Sequence, residues 1–276
     1  MPESGETSEP AETSEPAETS ESAETSEEPF EFVDAFGEWH TTTINPAAPK
    51  SEYDPACFSR DADGRAHYES ASHVSRTGID LARHQGAVDW QAVRDDGIEF
   101  AFIRLGYRGY GQAGNIKLDE RFEENAAGAH KAGIQFGVYF FSQAVNETEA
   151  EEEAAFVIEH LRDLPIDLEV VFDAENILDE PARTDDVTGE QFTRNALRFC
   201  AMIEEAGYRP MVYSNMMWQA YQYDMASLSR YPIWYADYEE LPQTPYRFRY
   251  WQYSESGRVR GVSSPVDLDV EFVEHT

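Results

Sequence analysis

The sequence predicts an α/β fold in which eight strands close into a barrel, preceded by a disordered acidic segment. Three observations carry this. Apolar strand-like runs alternate with helical patterns from Gly78 onward, which implies a parallel sheet with helical crossovers. The run count reaches eight, enough for closure. After Asn215 the helical patterns dwindle, so the last three strands are expected to join through loops.

Residues 1–28 hold ten Glu and no basic residue, with S-E-P-A-E-T at 8–13 and 14–19 and the decayed copy S-E-S-A-E-T at 20–25. Such a stretch cannot bury apolar surface and is expected to be an extended, self-repelling linker. Residues 29–76 are read as an extension packing on the barrel: F-E-F-V and W-H-T-T-T-I look like short strands, and the segment is too short for a core of its own. The barrel is assigned to residues 77–276, with strands expected at 78–82, 100–107, 135–142, 169–175, 211–215, 231–238, 247–254 and 266–272.

Helices are placed by their ends. Asp119 is read as the cap of a helix ending near Gly133, and Asn146 as the cap of the next, whose inner stripe is Ala150, Ala154, Val157, Ile158 and Leu161. A third helix is expected over 189–206, with Cys200 in its buried face. Cys57 and Cys200 are the only cysteines, too few to define a pairing, and a disulfide between them stays open.

The net charge of −33 lacks the basic footprint of a nucleic-acid binder. No run of 18 apolar residues exists, so no membrane-spanning helix is expected. No signal peptide is visible, so any export signal or anchor would lie outside this chain. Cys and His show no metal-ligand spacing, and neither metal nor cofactor is expected.

V-V-F-D-A-E-N at 170–176 is the most informative stretch. An apolar strand runs out into Asp173 and Glu175, two positions apart and therefore on one face. Two like charges that close raise one pKa, and a protonated acid beside an ionised partner is what glycosidic cleavage needs. Asp80 in the first strand and Asp267 in the last add two further acids. Arg104 is expected to pair with the acids inside the barrel. Tyr139, Tyr213, Trp234 and Trp251 lie in or near the strands whose C-terminal ends form the site in such barrels. Acids ringed by aromatics there read as a sugar-binding cleft.

These motifs resemble glycoside hydrolase family 25 lysozymes. G-I-D-L-A-R-H-Q-G-A-V-D-W at 78–90, F-I-R-L-G-Y-R-G-Y-G at 102–111, D-E-R-F-E-E-N at 119–125 and A-G-I-Q-F-G-V-Y-F-F at 132–141 follow the family's order. V-F-D-A-E-N, V-Y-S-N, I-W-Y-A-D-Y, Y-W-Q-Y and V-D-L-D continue it to residue 272. The resemblance implies a TIM-like (β/α)5(β)3 barrel that cleaves the β-1,4 bond from N-acetylmuramic acid to N-acetylglucosamine in peptidoglycan. It implies Glu175 as general acid and Asp173 as the residue orienting the substrate's 2-acetamido group, with retention of configuration. Asp80 and Asp267 would position substrate and tune that pair.

By the same resemblance, Arg104, Tyr139, Phe141, Tyr213, Asn215, Trp234, Asp237 and Trp251 are candidate substrate-binding residues. The partner would be the glycan strand, bound by a monomer outside the cell or at its wall. Two departures stand out: Phe140 where many members carry His, reading as a lost polar barrel position, and Asp269 where many carry Asn. A chitinase-type barrel would need acids at 168 and 171, where Leu168 and Val171 stand. The alternative from another class is a non-catalytic glycan-binding module on the same barrel.

Overall fold

The computed structural model describes residues 29–178 and 181–275; the acidic repeats at 1–28 lie outside them. Eight strands form the barrel: β1 His73–Leu81, β2 Phe100–Arg108, β3 Gln135–Ser142, β4 Val170–Ala174, β5 Pro210–Asn215, β6 Ile233–Ala236, β7 Tyr250–Gly257 and β8 Val266–Glu274. Neighbours pair in that order, and β1 pairs with both β2 and β8, closing the sheet. The pairs from β1 to β7 are parallel; β8 runs antiparallel to both β7 and β1. Among the described residues no helix is long and apolar enough to cross a membrane.

The crossovers are helical until β6. α1 (Trp90–Asp95), α2 (Phe122–Ala132), α3 (Glu147–Leu161) and α4 (Gly189–Glu205) each link two successive strands, and the short α5 (Met216–Tyr221) and α6 (Met225–Leu228) share the fifth crossover. Polar side chains set several starts: Asp89, Asn146, Thr188 and Asn215 accept from backbone N–H groups of α1, α3, α4 and α5. Asn146 therefore caps as expected. Asp119 does not: α2 begins at Phe122 without a side-chain cap, and Asp119 has another task. Cys57 and Cys200 are both free, with Cys200 on the buried face of α4.

Strand alternation divides the apolar residues into two layers. Ile79, Ala101, Ile103, Val138, Phe140, Phe172 and Val212 face outward, against the helices. Phe100, Phe102, Val171, Met211, Tyr213, Trp234 and Tyr250 fill the barrel. Phe140 is thus outside the barrel, its ring 6.2 Å from that of Phe156 on α3. The expected loss of a polar barrel position there is corrected: the phenylalanine serves the helix layer.

Strands β7 and β8 have no covering helices. Residues 29–72 supply that cover instead. A hairpin of Phe58–Arg60 with Ala66–Tyr68 lies over their outer face, with the Phe58 ring 5.7 Å from Trp251 and the Tyr68 ring 5.3 Å from Phe272. Tyr53 stacks on Phe272 at 4.1 Å. A second hairpin, Pro29–Val33 with Trp39–Thr43, buries Phe32 and reaches the opposite rim of the barrel.

Inward glycines make room for the interior rings. A Cβ at Gly137 would sit 2.5 Å from the Glu169 carbonyl oxygen and 2.6 Å from the Phe102 ring. Backbone cannot yield as a flexible side chain can. Gly137→Ala is therefore expected to destabilise the fold by about 1–3 kcal/mol through overpacking, seen as a lower denaturant midpoint in equilibrium unfolding.

Candidate active site

The antiparallel course of β8 puts its first residues at the end where the other seven strands finish. Its register sets Asp267 opposite Asp80 and Asp269 opposite Gly78. β4 ends at the same rim, with Asp173 inside the barrel and Glu175 just beyond it. Five carboxyls converge there: Asp80, Asp173, Glu175, Asp267 and Asp269. Asp173 and Glu175 lie close enough to influence each other's protonation, as do Asp80, Asp267 and Asp269, and Asp173 Oδ1 is buried with no hydrogen-bond partner. The four acids read from the sequence as catalytic are all in this group.

Burial is the largest cause of every pKa shift here, because low dielectric disfavours the charged form. Burial and the neighbouring Asp267 push Glu175 up to about 7. Burial and the Glu175 charge raise Asp173 well above the carboxylate range, with the Arg104 charge partly opposing them. Asp80 is likewise raised by burial, then by Asp267 and Asp269. Burial takes Asp267 to about 6. At neutral pH the group therefore holds protons that isolated carboxylates would have shed, and it titrates as a set.

Gln252, on the inner face of β7, orients this group and was missed in the sequence. Its amide nitrogen donates to Asp80 Oδ2 at 2.7 Å. Its carbonyl oxygen accepts from the Tyr213 and Tyr238 hydroxyls, both at 3.1 Å. Alternation in Y-W-Q-Y could have revealed it, since Gln252 lies two positions from the inward Tyr250.

The other candidates divide. Tyr139, Phe141 and Tyr213 are on the inner face near the acids, Phe141 in register with Asp173. Asn215 both lines the cleft and caps α5. Arg104 points inward but pairs elsewhere: its guanidinium donates to Asp119 Oδ2 at 2.8 and 2.7 Å. Asp119 also accepts from the backbone N–H groups of Arg83 and Arg121. The expected pairing of Arg104 with the catalytic acids is corrected accordingly, although its charge still reaches Asp173.

Trp234 is buried beneath the acids rather than open to a sugar. Its indole N–H donates to Asp269 Oδ1 at 2.8 Å, and Tyr139 and Tyr213 pack edge-on against it. Trp251 faces out of the barrel, under the Phe58 hairpin, and donates to the Asp237 carbonyl. The Asp237 carboxylate faces outward too, accepting from the Tyr235 hydroxyl, the Glu239 and Gln243 N–H groups and the Gln243 amide. Trp251 does not line the cleft, whereas Asp237 does, with its carboxylate already engaged by these partners.

Above the acids opens a cleft of about 420 Å³. Glu175, Tyr213, Asn215, Tyr238 and Glu255 line it, and the turn of the N-terminal hairpin forms one wall. A larger cavity of about 550 Å³ lies between the extension and the other end of the barrel, lined by Tyr53, Tyr246 and Phe248. None of the five acids lines it, whereas Glu175 lines the smaller cleft, which makes that cleft the candidate active site. One metal-like juxtaposition was not foreseen: the ligand atoms of Asp34, Glu38 and His40 lie within 4.8 Å of one another on the hairpin.

Two expectations follow from the buried charge. Asp269 Oδ2 has no hydrogen-bond partner. Asp269→Asn keeps the acceptor for Trp234 while removing an acid, so its melting temperature at pH 7 is expected to exceed the wild type's. For Glu175 the folded pKa of about 7 lies above an unfolded value of about 4.3. Between these values the native state binds more protons than the unfolded state, so stability falls as pH rises. Glu175→Gln should therefore melt higher than wild type at pH 8, and the difference should close towards pH 4 in a calorimetric series.

The sequence model of Glycosyl hydrolases family 25 matches residues 79–262, well over half of the chain, including Asp80, Asp173 and Glu175. The autolytic lysozyme of Clostridium acetobutylicum is 28% identical over 199 residues, which span 71% of this chain and 56% of that protein. Lysozyme M1 of Streptomyces globisporus is 28% identical over 206 residues, covering 69% of this chain and 65% of that one. Among solved structures, the spore cortex lytic enzyme SleM of Clostridium perfringens superposes with a TM-score of 0.63 at 25% identity, over 71% of this chain and 67% of SleM. With the closed barrel and its ring of acids, this match makes the chain a member of glycosyl hydrolases family 25, and so a glycosidase.

Proposed function

We propose that the protein is a muramidase, cleaving the β-1,4 bond between N-acetylmuramic acid and N-acetylglucosamine in peptidoglycan, outside the cell or at its wall. The observation that carries the reading is Glu175: it lines an open cleft, has Asp173 as its neighbour two residues earlier on β4, and is raised to about 7 by burial and by Asp267. A carboxyl of that pKa can hold a proton at neutral pH and still surrender it to a leaving oxygen.

In this reading Glu175 protonates the glycosidic oxygen as the C1–O bond breaks. The 2-acetamido carbonyl oxygen of the same sugar attacks C1 from the opposite face and forms a cyclic oxazolinium ion. Asp173 accepts the acetamido N–H through a carboxyl oxygen and so holds the attacking oxygen in line. Water then attacks C1, its proton passes to the Glu175 carboxylate, and the ring opens with configuration retained. Asp267 keeps negative charge beside Glu175 and so helps keep its proton in place, while Asp80, held by Gln252, sits opposite Asp267 and positions it.

Digestion of purified peptidoglycan, followed by borohydride reduction and mass spectrometry of the new ends, tests this. Wild type should produce muramitol ends, and Glu175→Gln should lower their rate of appearance by roughly 10³-fold, the scale of a lost general acid. Glucosaminitol ends would move the cut to the other bond. The rate should also decline as pH rises through about 7, where Glu175 loses its proton; an activity flat from pH 6 to 9 would remove Glu175 from the acid role.

A further inference from the structure

The hairpin Pro29–Val33/Trp39–Thr43 lies outside the span matched by the family, yet its turn forms one wall of the cleft that holds Glu175. We propose that Phe36, at the tip of this turn, is a stacking platform for one further pyranose ring of the glycan strand, beyond the rings at the acids. The inference rests on the muramidase reading and deepens it by adding a subsite.

Phe36 is 74% exposed, whereas Phe32 on the same hairpin is fully buried. An exposed ring on a loose loop would say little, but this turn is pinned. Asp34 Oδ1 accepts from the Phe36 and Glu38 N–H groups, each at 2.9 Å, and Asp34 Oδ2 bonds to His40 at 2.9 Å. Gly37, at φ 81°, takes the left-handed position that closes the turn. The hairpin is in turn fixed to the loop after β6. Val33 N–H donates to the Gln243 carbonyl oxygen at 2.8 Å, and the Gln243 amide donates back to the Val33 carbonyl at 2.9 Å. Gln243 also donates to Asp237. On the other flank, the Tyr221 hydroxyl donates to the Thr41 carbonyl.

A rigid turn that holds an aromatic ring open at the wall of a cleft is preorganised for a flat apolar partner. The apolar face of a pyranose is such a partner, and a polymeric substrate must leave the cleft past one of its walls. The neighbouring side chains favour the sugar over the stem peptide. Glu239 and Glu255 line this end of the cleft with acids that repel peptide carboxylates and accept bonds from sugar hydroxyls.

The test compares hydrolysis of peptide-free alternating tetra-, hexa- and octasaccharides from peptidoglycan by wild type, Phe36→Ala and Phe36→Trp. The ring is exposed, so the variants should melt as wild type does. Wild-type kcat/KM should rise with chain length. Phe36→Ala should lose roughly three- to tenfold on the longer oligomers, the scale of one aromatic stacking contact, and nothing on the tetrasaccharide. Phe36→Trp should restore the length dependence. Equal loss at every length, or no loss at any length, would overturn the subsite and leave the muramidase standing. A wild type that cleaves no oligomer and no peptidoglycan would overturn both.

Discussion

The antiparallel pairing of β8 on β1 is the constraint from which most of this molecule follows. It closes a sheet that would otherwise end in two open edges, at β1 and β7. It also turns the start of β8 towards the catalytic rim, so that Asp267 lands opposite Asp80. Had the last strand run parallel, its first residues would lie at the base of the barrel and the acid ring would lack a member. Closure and chemistry thus share one set of backbone hydrogen bonds.

The interior that results is costly to fold. Carboxyls crowd a space floored by Trp234, Phe102 and Val171, where burial works against ionisation. Gln252, with two phenol hydroxyls behind it, and the Arg104–Asp119 pair supply part of the compensation. Asp269, with one oxygen unpartnered, supplies none. Strain of this kind is what function commonly extracts from stability. The layer between barrel and helices is mainly apolar, and its buried charges are paired, as Arg108 is with Glu153 on α3.

Much of this was legible in the sequence because barrels obey alternation. All eight strands, the helices over 147–161 and 189–205 and the inward acids follow from period and caps. The tryptophans were not legible: in Y-W-Q-Y and I-W-Y-A-D every position is buried, so burial cannot choose a face. The cover over β7 that turns Trp251 into a packing residue comes from far earlier in the chain. Nor was the Arg104–Asp119 pair legible, since the partner sits in a loop whose path no periodicity describes. The Phe58–Tyr68 hairpin was missed because three-residue strands around a polar turn carry little apolar pattern. Phe36 reads as an ordinary aromatic until the fold shows that its ring is left uncovered at the mouth of the cleft.

The late position of β8 has a kinetic consequence. Its partner β1 precedes all the other barrel strands, so the closing ladder joins the two ends of the barrel sequence and carries the largest loop-closure entropy in the molecule. Elements from β1 to β7 can assemble progressively through neighbours, as parallel units do. Asp267 can reach Asp80 only when the final strand docks. A chain made from its N-terminus therefore cannot complete the acid cluster until β8 has been made and docked, and a partly folded or clipped form lacking that strand lacks Asp267 and Asp269 as well. In the muramidase reading, activity therefore arises in a single late event, a delay that the fold itself supplies.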